Sequence, residues 1–418
     1  MTKKTFFFIK IGLFAIFLSS AQTFKLSSEI RPRFENRHGF KTLIKAGEEG
    51  ASFVSQRTRL NFNYQLENLT FGTSLQNVRV WGDVNTLTIN DNANSFHEAW
   101  ATYQFLDNFS LKFGRQEILY DDSSIFGNVD WAQQARSFDA IVAKIKISTT
   151  SILDIGYSLN NDSEQLTNSL YSNIAGYKTF QYAWYHLKNN NLGLSFLGLN
   201  NGVEFINSNL EEELNYSQTI GSRATYKSGN FLMDGAAYLQ TGKAFGDSLN
   251  AHYLGGNINY KVSTKFSFGL GAEYLSGKDM NDTSSKIKSF NPFYGTNHKF
   301  NGLMDYFYVG NHNNSVGLLD IYTNLDYSSN KVSAKIIPHL FYSAANIYNN
   351  GVKVNSSLGA EIDLVLEYKI ANNVIFDGGF SKIFATKSME ILKSGDRTED
   401  NSWAWLMITF KPTLFVSK

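Results

Sequence analysis

The chain reads as all-β: a transmembrane, antiparallel, up-and-down barrel of about eighteen strands with long loops at one end. Three observations carry that reading. From Leu358 to Lys369, Glu361, Asp363, Glu367 and Lys369 share one parity while Leu358, Ala360, Ile362, Leu364, Leu366 and Tyr368 share the other. Only a strand sorts residues that way, and a face this charged suits a water-filled bore whose opposite face meets lipid. Aromatic residues make up 15% of the chain and prolines number four, as expected of long strands with aromatic girdles at two membrane interfaces. Finally, Lys3 and Lys4 precede an apolar run from Phe6 to Leu18, interrupted by Lys10 and closed by Ser19-Ser20-Ala21. Residues 1–21 are therefore read as a cleaved signal peptide and 22–418 as a single barrel domain. No later stretch approaches the roughly 20 apolar residues of a membrane helix.

Alternation marks the strands in order at 24–36, 53–66, 68–80, 96–106, 109–117, 137–147, 151–160, 178–188 and 191–199 in the first half. The second half continues at 215–227, 230–241, 251–262, 264–276, 316–328, 331–345, 357–370, 373–385 and 402–415. Most are close to the length, about 9 to 11 residues, that a tilted strand needs to cross a bilayer. Short turns such as Leu66-Glu67-Asn68 and Ser228-Gly229-Asn230 fit tight hairpins, where Asn and Gly accept positive φ. Long polar connections fall at 37–52, 81–95, 118–136, 161–177, 200–214, 277–315 and 386–401. A soluble sandwich would need an apolar partner sheet for every such strand. Closure into a barrel is simpler, because it removes the reactive edges.

Composition excludes several functions. Taking away the leader's three lysines from 38 basic residues against 37 acidic ones leaves a slightly negative net charge, unlike a nucleic-acid binder. Without cysteine there is no disulfide framework, thiolate chemistry or cysteine zinc site. No cofactor or metal is expected: the Asp279-Met280-Asn281-Asp282-Thr283 run lacks the glycine and terminal carboxylate of a calcium loop.

Of ten arginines, eight lie between Arg31 and Arg136. Arg31 and Arg33 share a parity with Glu29 and Glu35, and Arg57 and Arg59 share one with Asn61 and Asn63. All four should point inward, and pairing of the first two strands would gather them on one wall, with Arg79 from the third joining them. A guanidinium is permanently charged and matches carboxylates in a bidentate fork, so such a wall suits an anionic solute. The same residues also suit ladders with Glu29, Glu98, Asp139 and Glu361 that only brace the interior. Both readings stand, and together they would set a transverse field across the bore.

The segment Gly114-Arg115-Gln116-Glu117-Ile118-Leu119-Tyr120-Asp121-Asp122 continues through Gly127 to Asp139 with Arg136-Ser137-Phe138-Asp139 at its end. With Gln56-Arg57-Thr58-Arg59-Leu60, Gln76 to Gly82, His97-Glu98-Ala99-Trp100 and Asn291 to Phe300, this resembles the alginate-export family of outer-membrane barrels. The resemblance implies eighteen strands, an electropositive constriction built from inward arginines, and acids that position them. By position it implies Arg57, Arg59, Arg79, Arg115 and Arg136 as the basic set, and Glu98 and Asp139 as the acidic set. The scarcity of arginine after Arg136 argues for a one-sided basic wall rather than a ring.

The longest connection, 277–315, is rich in aromatics from Phe290 to Phe300 and at Asp305-Tyr306-Phe307-Tyr308, which favours a packed loop over a disordered one, either as surface decoration or as a plug that constricts or gates the bore. Catalysis is the competing class, but there is no Gly-x-Ser-x-Gly elbow and no His-Glu-x-x-His pair. A third class is a plugged barrel serving as surface receptor or scaffold. The expected function is a channel in the bacterial outer membrane for passive diffusion or export of polar, anionic, uronate-like saccharides. Its expected partners are outer-membrane lipid and a polar or anionic saccharide solute, with no nucleic acid, and the sequence names no periplasmic or inner-membrane export partner.

Overall fold

The computed structural model describes residues 22–91, 93–171 and 176–417, so the leader expected over 1–21 lies outside the described residues. Eighteen long strands form the wall. They are β1 (Gln22–His38), β2 (Ala51–Leu66), β3 (Leu69–Val80), β4 (Asn94–Leu106), β5 (Phe109–Gln116) and β6 (Phe138–Lys146). Next come β7 (Ser151–Leu159), β8 (Thr179–Asn189), β9 (Leu192–Ile206), β10 (Glu212–Ser228), β11 (Phe231–Ala244) and β12 (Asp247–Lys261). The last are β13 (Phe266–Leu275), β14 (Leu318–Ser328), β15 (Val332–Tyr342), β16 (Ser357–Ala371), β17 (Val374–Ala385) and β18 (Ser402–Phe410, continued by Thr413–Val416). Each pairs antiparallel with the next, and β18 closes on β1 through Ile30↔Phe410, Phe34↔Leu406 and Glu35↔Trp405. The sheet therefore has no free long edge to template aggregation.

All eighteen expected segments are strands, with differences at their ends. β9 runs to Ile206 and β10 starts at Glu212, so the expected loop 200–214 shrinks to a short turn. Asn200-Asn201-Gly202 lie within β9, and Asn201 is buried on its inward face, where polar side chains belong in such a strand. Likewise β11 and β12 meet at Phe245-Gly246, both at positive φ, in a two-residue hairpin turn.

The two faces separate cleanly along most strands. Ile30, Phe34, Leu60, Phe71, Ile141, Leu254, Leu364 and Leu406 are exposed on the outside, while Glu29, Arg31, Arg57, Ser74, Thr219, Asp320 and Asp363 are buried inside. At the short-turn end, outward rings cluster as Phe24 with Phe62 and Phe415, Phe231 with Tyr260, and Phe266 with Tyr327. That is an aromatic girdle at one membrane interface.

The bore is not uniformly wet. Two connections fold back into it: 117–137 between β5 and β6, and 276–317 between β13 and β14. Phe126 and Tyr294 from these loops pack on the inward rings of Phe138 and Phe180, so an aromatic cluster fills the bore beside β6 and β8. The long loop is tied to several walls. Gln240 exchanges hydrogen bonds with Asn291 (2.7 and 2.9 Å), Asn301 donates to Glu273 (2.8 Å), and the Met304 amide donates to Glu361 (2.9 Å). The packed-loop expectation holds. A short helix, α1 (Lys387–Lys393), caps the barrel above β16 and β17; Thr386 is its N-cap, accepting from the Met389 amide.

Candidate functional site

The site is the arginine wall of β1 and β2 and the loop 117–137 laid against it. Register places Arg31 opposite Arg57 and Glu29 opposite Arg59. Facing like charges destabilise a strand pair unless something stands between them. Asp130 does so: its carboxylate meets Arg31 at 3.1 Å and Arg57 at 2.8 Å. Burial pushes that carboxyl up, but the Arg57 and Arg31 guanidiniums outweigh it and hold it at about 2. Gln133 accepts from Arg31 (3.1 and 3.2 Å) and donates to the Ser55 hydroxyl (3.0 Å), fixing the loop to both strands.

The remaining arginines divide into paired and unpaired. Arg57 also bonds Glu29 (2.5 Å), whose second oxygen meets Lys411 (3.3 Å). Arg33 bonds the fully buried Glu35 (2.9 Å) and lies 3.7 Å from the ring centre of Trp131, a cation–π contact in a dry setting. Arg37 and the Trp403 indole satisfy the other Glu35 oxygen. Arg59 has no carboxylate at salt-bridge distance among the described residues; it donates to Gln76 (3.0 Å) and the Gln134 carbonyl (3.5 Å). Arg136, in the loop, is equally free of carboxylates and donates to the Gly295 carbonyl (3.1 Å).

Three expected members stand elsewhere. Arg79 shares the parity of the exposed Phe71 and Leu75, and pairs with Asp91 and Asn77 on the outer side near the long-loop rim. Arg115 shares the parity of exposed Phe113, and Asp139 that of exposed Ile141; they pair with each other at 2.9 Å on the outer face. Strand geometry overrides position here, because one step along a strand changes the face. Glu98 is inward but meets the Trp100 indole (3.1 Å) and the Glu117 amide (3.2 Å), with no arginine partner among the described residues. Glu361 is inward too, yet it and Asp363 hold the backbone of Met304 and Leu303 instead of a guanidinium. Sequence reasoning did not assign Asp130, Gln133 or Gln134 a role; their signal was a polar Asp-x-x-Gln-Gln run in a loop otherwise rich in apolar residues.

Across the bore the sign reverses. Arg223 pairs with Asp122 and with Asp234 (2.6 Å), and Lys299 caps the Asp122 carbonyl (3.0 Å). Near them Glu273, Asp320, Glu361 and Asp363 converge around His339, which lies 2.9 Å from Asp320 and 3.6 Å from Asp363, and Lys335 lines the same space. Arginines thus gather on β1–β2 and carboxyl groups on β13–β16.

An eighteen-stranded closed barrel with an apolar outer belt, a charged bore and inward-folded loops defines an outer-membrane channel of the porin type. The match to the Alginate export family covers residues 29–385, and the chain belongs to that family. Among solved structures it is similar to OpdK of Pseudomonas aeruginosa (TM-score 0.62, 12% identity, 93% of this chain and 98% of that one). It is also similar to a BenF-like porin of Pseudomonas fluorescens (0.61, 13%, 94% and 99%) and to OccK8 (OprE) of Pseudomonas aeruginosa (0.61, 14%, 94% and 98%). At these identities the likeness is one of fold. No curated protein matches the chain in sequence. Family and fold place the protein in the bacterial outer membrane.

Proposed function

We propose that this channel passes small polar solutes by passive diffusion or export, with a preference for anions of the uronate-like saccharide kind. The observation that carries the preference is the pair Arg59 and Arg136, the two inward guanidiniums with no carboxylate partner among the described residues, on either side of the Gln134 segment. The other inward arginines on this wall are already neutralised by Glu29, Glu35 and Asp130, so they brace the wall; a passing anion finds its fork on the free pair. A separate structure of OpdK contains vanillate, a property of that protein which fits the same chemistry. Replacing Arg59 and Arg136 with Ser should lower the anion-to-cation permeability ratio, read from reversal potentials in chloride and glucuronate. Arg115→Ser, on the outer face, should leave it unchanged. An unaltered ratio in the double variant would remove the anion reading.

The depth to which loop 276–317 fills the bore also favours a second reading, a plugged barrel acting as receptor or scaffold. Planar-bilayer recording separates the two: discrete conductance steps support the channel, and a folded but silent barrel supports the plug. The protein is read as a non-enzyme. Residues 1–21 are read as a cleaved leader, so N-terminal sequencing of the mature protein should begin at Gln22.

A further inference from the structure

One position repeats around the short-turn mouth. On every even-numbered strand from β4 to β18, a bore-facing residue at the turn end donates its amide to a carbonyl of the preceding turn, at 2.8–2.9 Å. Lysine holds six of these eight places: Lys146, Lys188, Lys227, Lys261, Lys369 and Lys411. Gln104 and Ser328 hold the other two, so none is acidic. The six lysines share the parity of the buried Val142, Trp184, Thr219, Tyr253, Asp363 and Trp405, and all six side chains are exposed, so they line the mouth and not the lipid belt. Adjacent strands lie about 4.8 Å apart, so these lysines recur roughly every 10 Å where strands alternate without a gap. A small anion between two of them touches only one.

The collar is densest on one arc. Lys265, at the entry to β13, has the same bore-facing parity as Glu273 and adds a cation beside Lys261. A cavity of about 420 Å³ lies under the β10–β11 and β12–β13 turns, lined by Lys227, Lys261 and Lys265 together with the polar side chains of Asn230, Asn259 and Ser263. Phe231, Leu232 and Phe266 supply its apolar side. None of the three lysines has a carboxylate at salt-bridge distance among the described residues, whereas Lys369 meets Glu367 (4.0 Å) and Lys411 meets Glu29 (3.3 Å). The carboxylate in the lining, Asp326, is already held by Lys335 (3.7 Å) and Ser267 (3.4 Å).

We propose that this cavity is an anion-loading site at the short-turn mouth, where Lys227, Lys261 and Lys265 hold a compact solute with two or more negative charges, of the phosphate-ester or pyrophosphate kind. A lysine ammonium acts as a mobile point charge and lacks the planar fork that selects a single carboxylate. One negative charge would leave two of the three ammonium groups uncompensated. A phosphate ester carries about −1.5 to −2 at pH 7 and offers three acceptor oxygens, which matches three cations with amide and hydroxyl donors beside them. Short turns of outer-membrane barrels face the periplasm, so the site meets solutes on that side. It shares no residue with the Arg59 and Arg136 pair, and it stands whether or not the bore conducts.

The test measures lysine acetylation rates, by mass spectrometry of chymotryptic peptides, on the mature protein in dimyristoylphosphatidylcholine nanodiscs at low salt, where exposed charges are least screened. Pyrophosphate is the probe, with chloride and glucuronate at equal ionic strength as controls. Pyrophosphate should slow acetylation of Lys227, Lys261 and Lys265 several-fold while changing Lys146 and Lys188 little. Lys261→Gln should remove most of the protection at Lys227 and Lys265, and Lys188→Gln should leave it intact. Uniform slowing of all these lysines, equal protection by glucuronate, or full protection surviving in Lys261→Gln would overturn the proposal. Protection should persist in the Arg59→Ser, Arg136→Ser double variant, whose reversal potential tests the anion preference of the bore, so either reading can fail while the other survives.

Discussion

Asp130 carries more of the site than any other side chain, because it is the one carboxylate between two guanidiniums that register forces to face each other. Asp130→Asn keeps the shape and removes the charge, so Arg31 and Arg57 then repel and the loop loses its anchor. The side chain is half exposed, which limits the expected loss to about 1–2 kcal/mol, read as a lower urea midpoint with faster amide exchange around Trp131. An unchanged midpoint together with unchanged exchange would show that Gln133 alone holds the loop. Much at this scale was legible in the sequence: alternation placed Arg31, Arg33, Arg57 and Arg59 inward, and they are. Arg79, Arg115 and Asp139 were assigned by position within the resembled motifs although each shares a parity with apolar neighbours, Phe71 and Leu75, Phe113, and Ile141 respectively. Alternation was the better guide, since it follows from backbone geometry alone. What alternation could not show was which arginines end up paired, because Asp130 reaches Arg31 and Arg57 only through the path of a loop.

At the scale of elements, the two infolded loops decide how open the bore is. The aromatic content of the longer one announced a packed state, but its anchors on Gln240, Glu361 and Asp363 lie on other strands, about 50 to 60 residues away in sequence, and carry no local signal. Replacing residues 291–311 with a short Gly-Ser linker should leave the barrel folded and raise single-channel conductance several-fold; an unchanged conductance would mean that this loop does not lie in the ion path. The long loop also carries a pH dependence. Burial, with Lys393 nearby, lowers His312 to about 3 even though its ring bonds the Gly317 carbonyl at 3.0 Å. The undocked loop, whose histidine titrates near its ordinary value, binds more protons between about 3 and 6.5, so docking is fully favoured above that window and weakens as pH falls through it. Amide exchange over 303–317 should therefore be faster at pH 4.5 than at pH 7.5, once the intrinsic rates are corrected for pH, and His312→Gln should flatten the difference. Equal protection of the native loop at both values would rule this coupling out.

For the whole molecule, the decisive property is that its apolar surface is outside. Leu364 faces outward near the middle of β16, and Asn61 faces the bore on β2. In a barrel standing in a bilayer, Leu364→Arg places a cation in hydrocarbon and should cost about 2–4 kcal/mol at the midplane. Asn61→Arg adds a cation to a hydrated, already charged interior and should cost under about 1 kcal/mol, less the nearer its side chain comes to Glu29. The ordering is what matters, because a water-soluble sheet protein would reverse it: an exposed Leu→Arg is close to neutral there, and an inward polar-to-Arg change is the damaging one. Reversible urea unfolding in phosphatidylcholine vesicles measures both variants against the parent on the same lipid. A larger loss for Asn61→Arg than for Leu364→Arg would contradict the inside-out arrangement on which the channel and its arginine wall both depend.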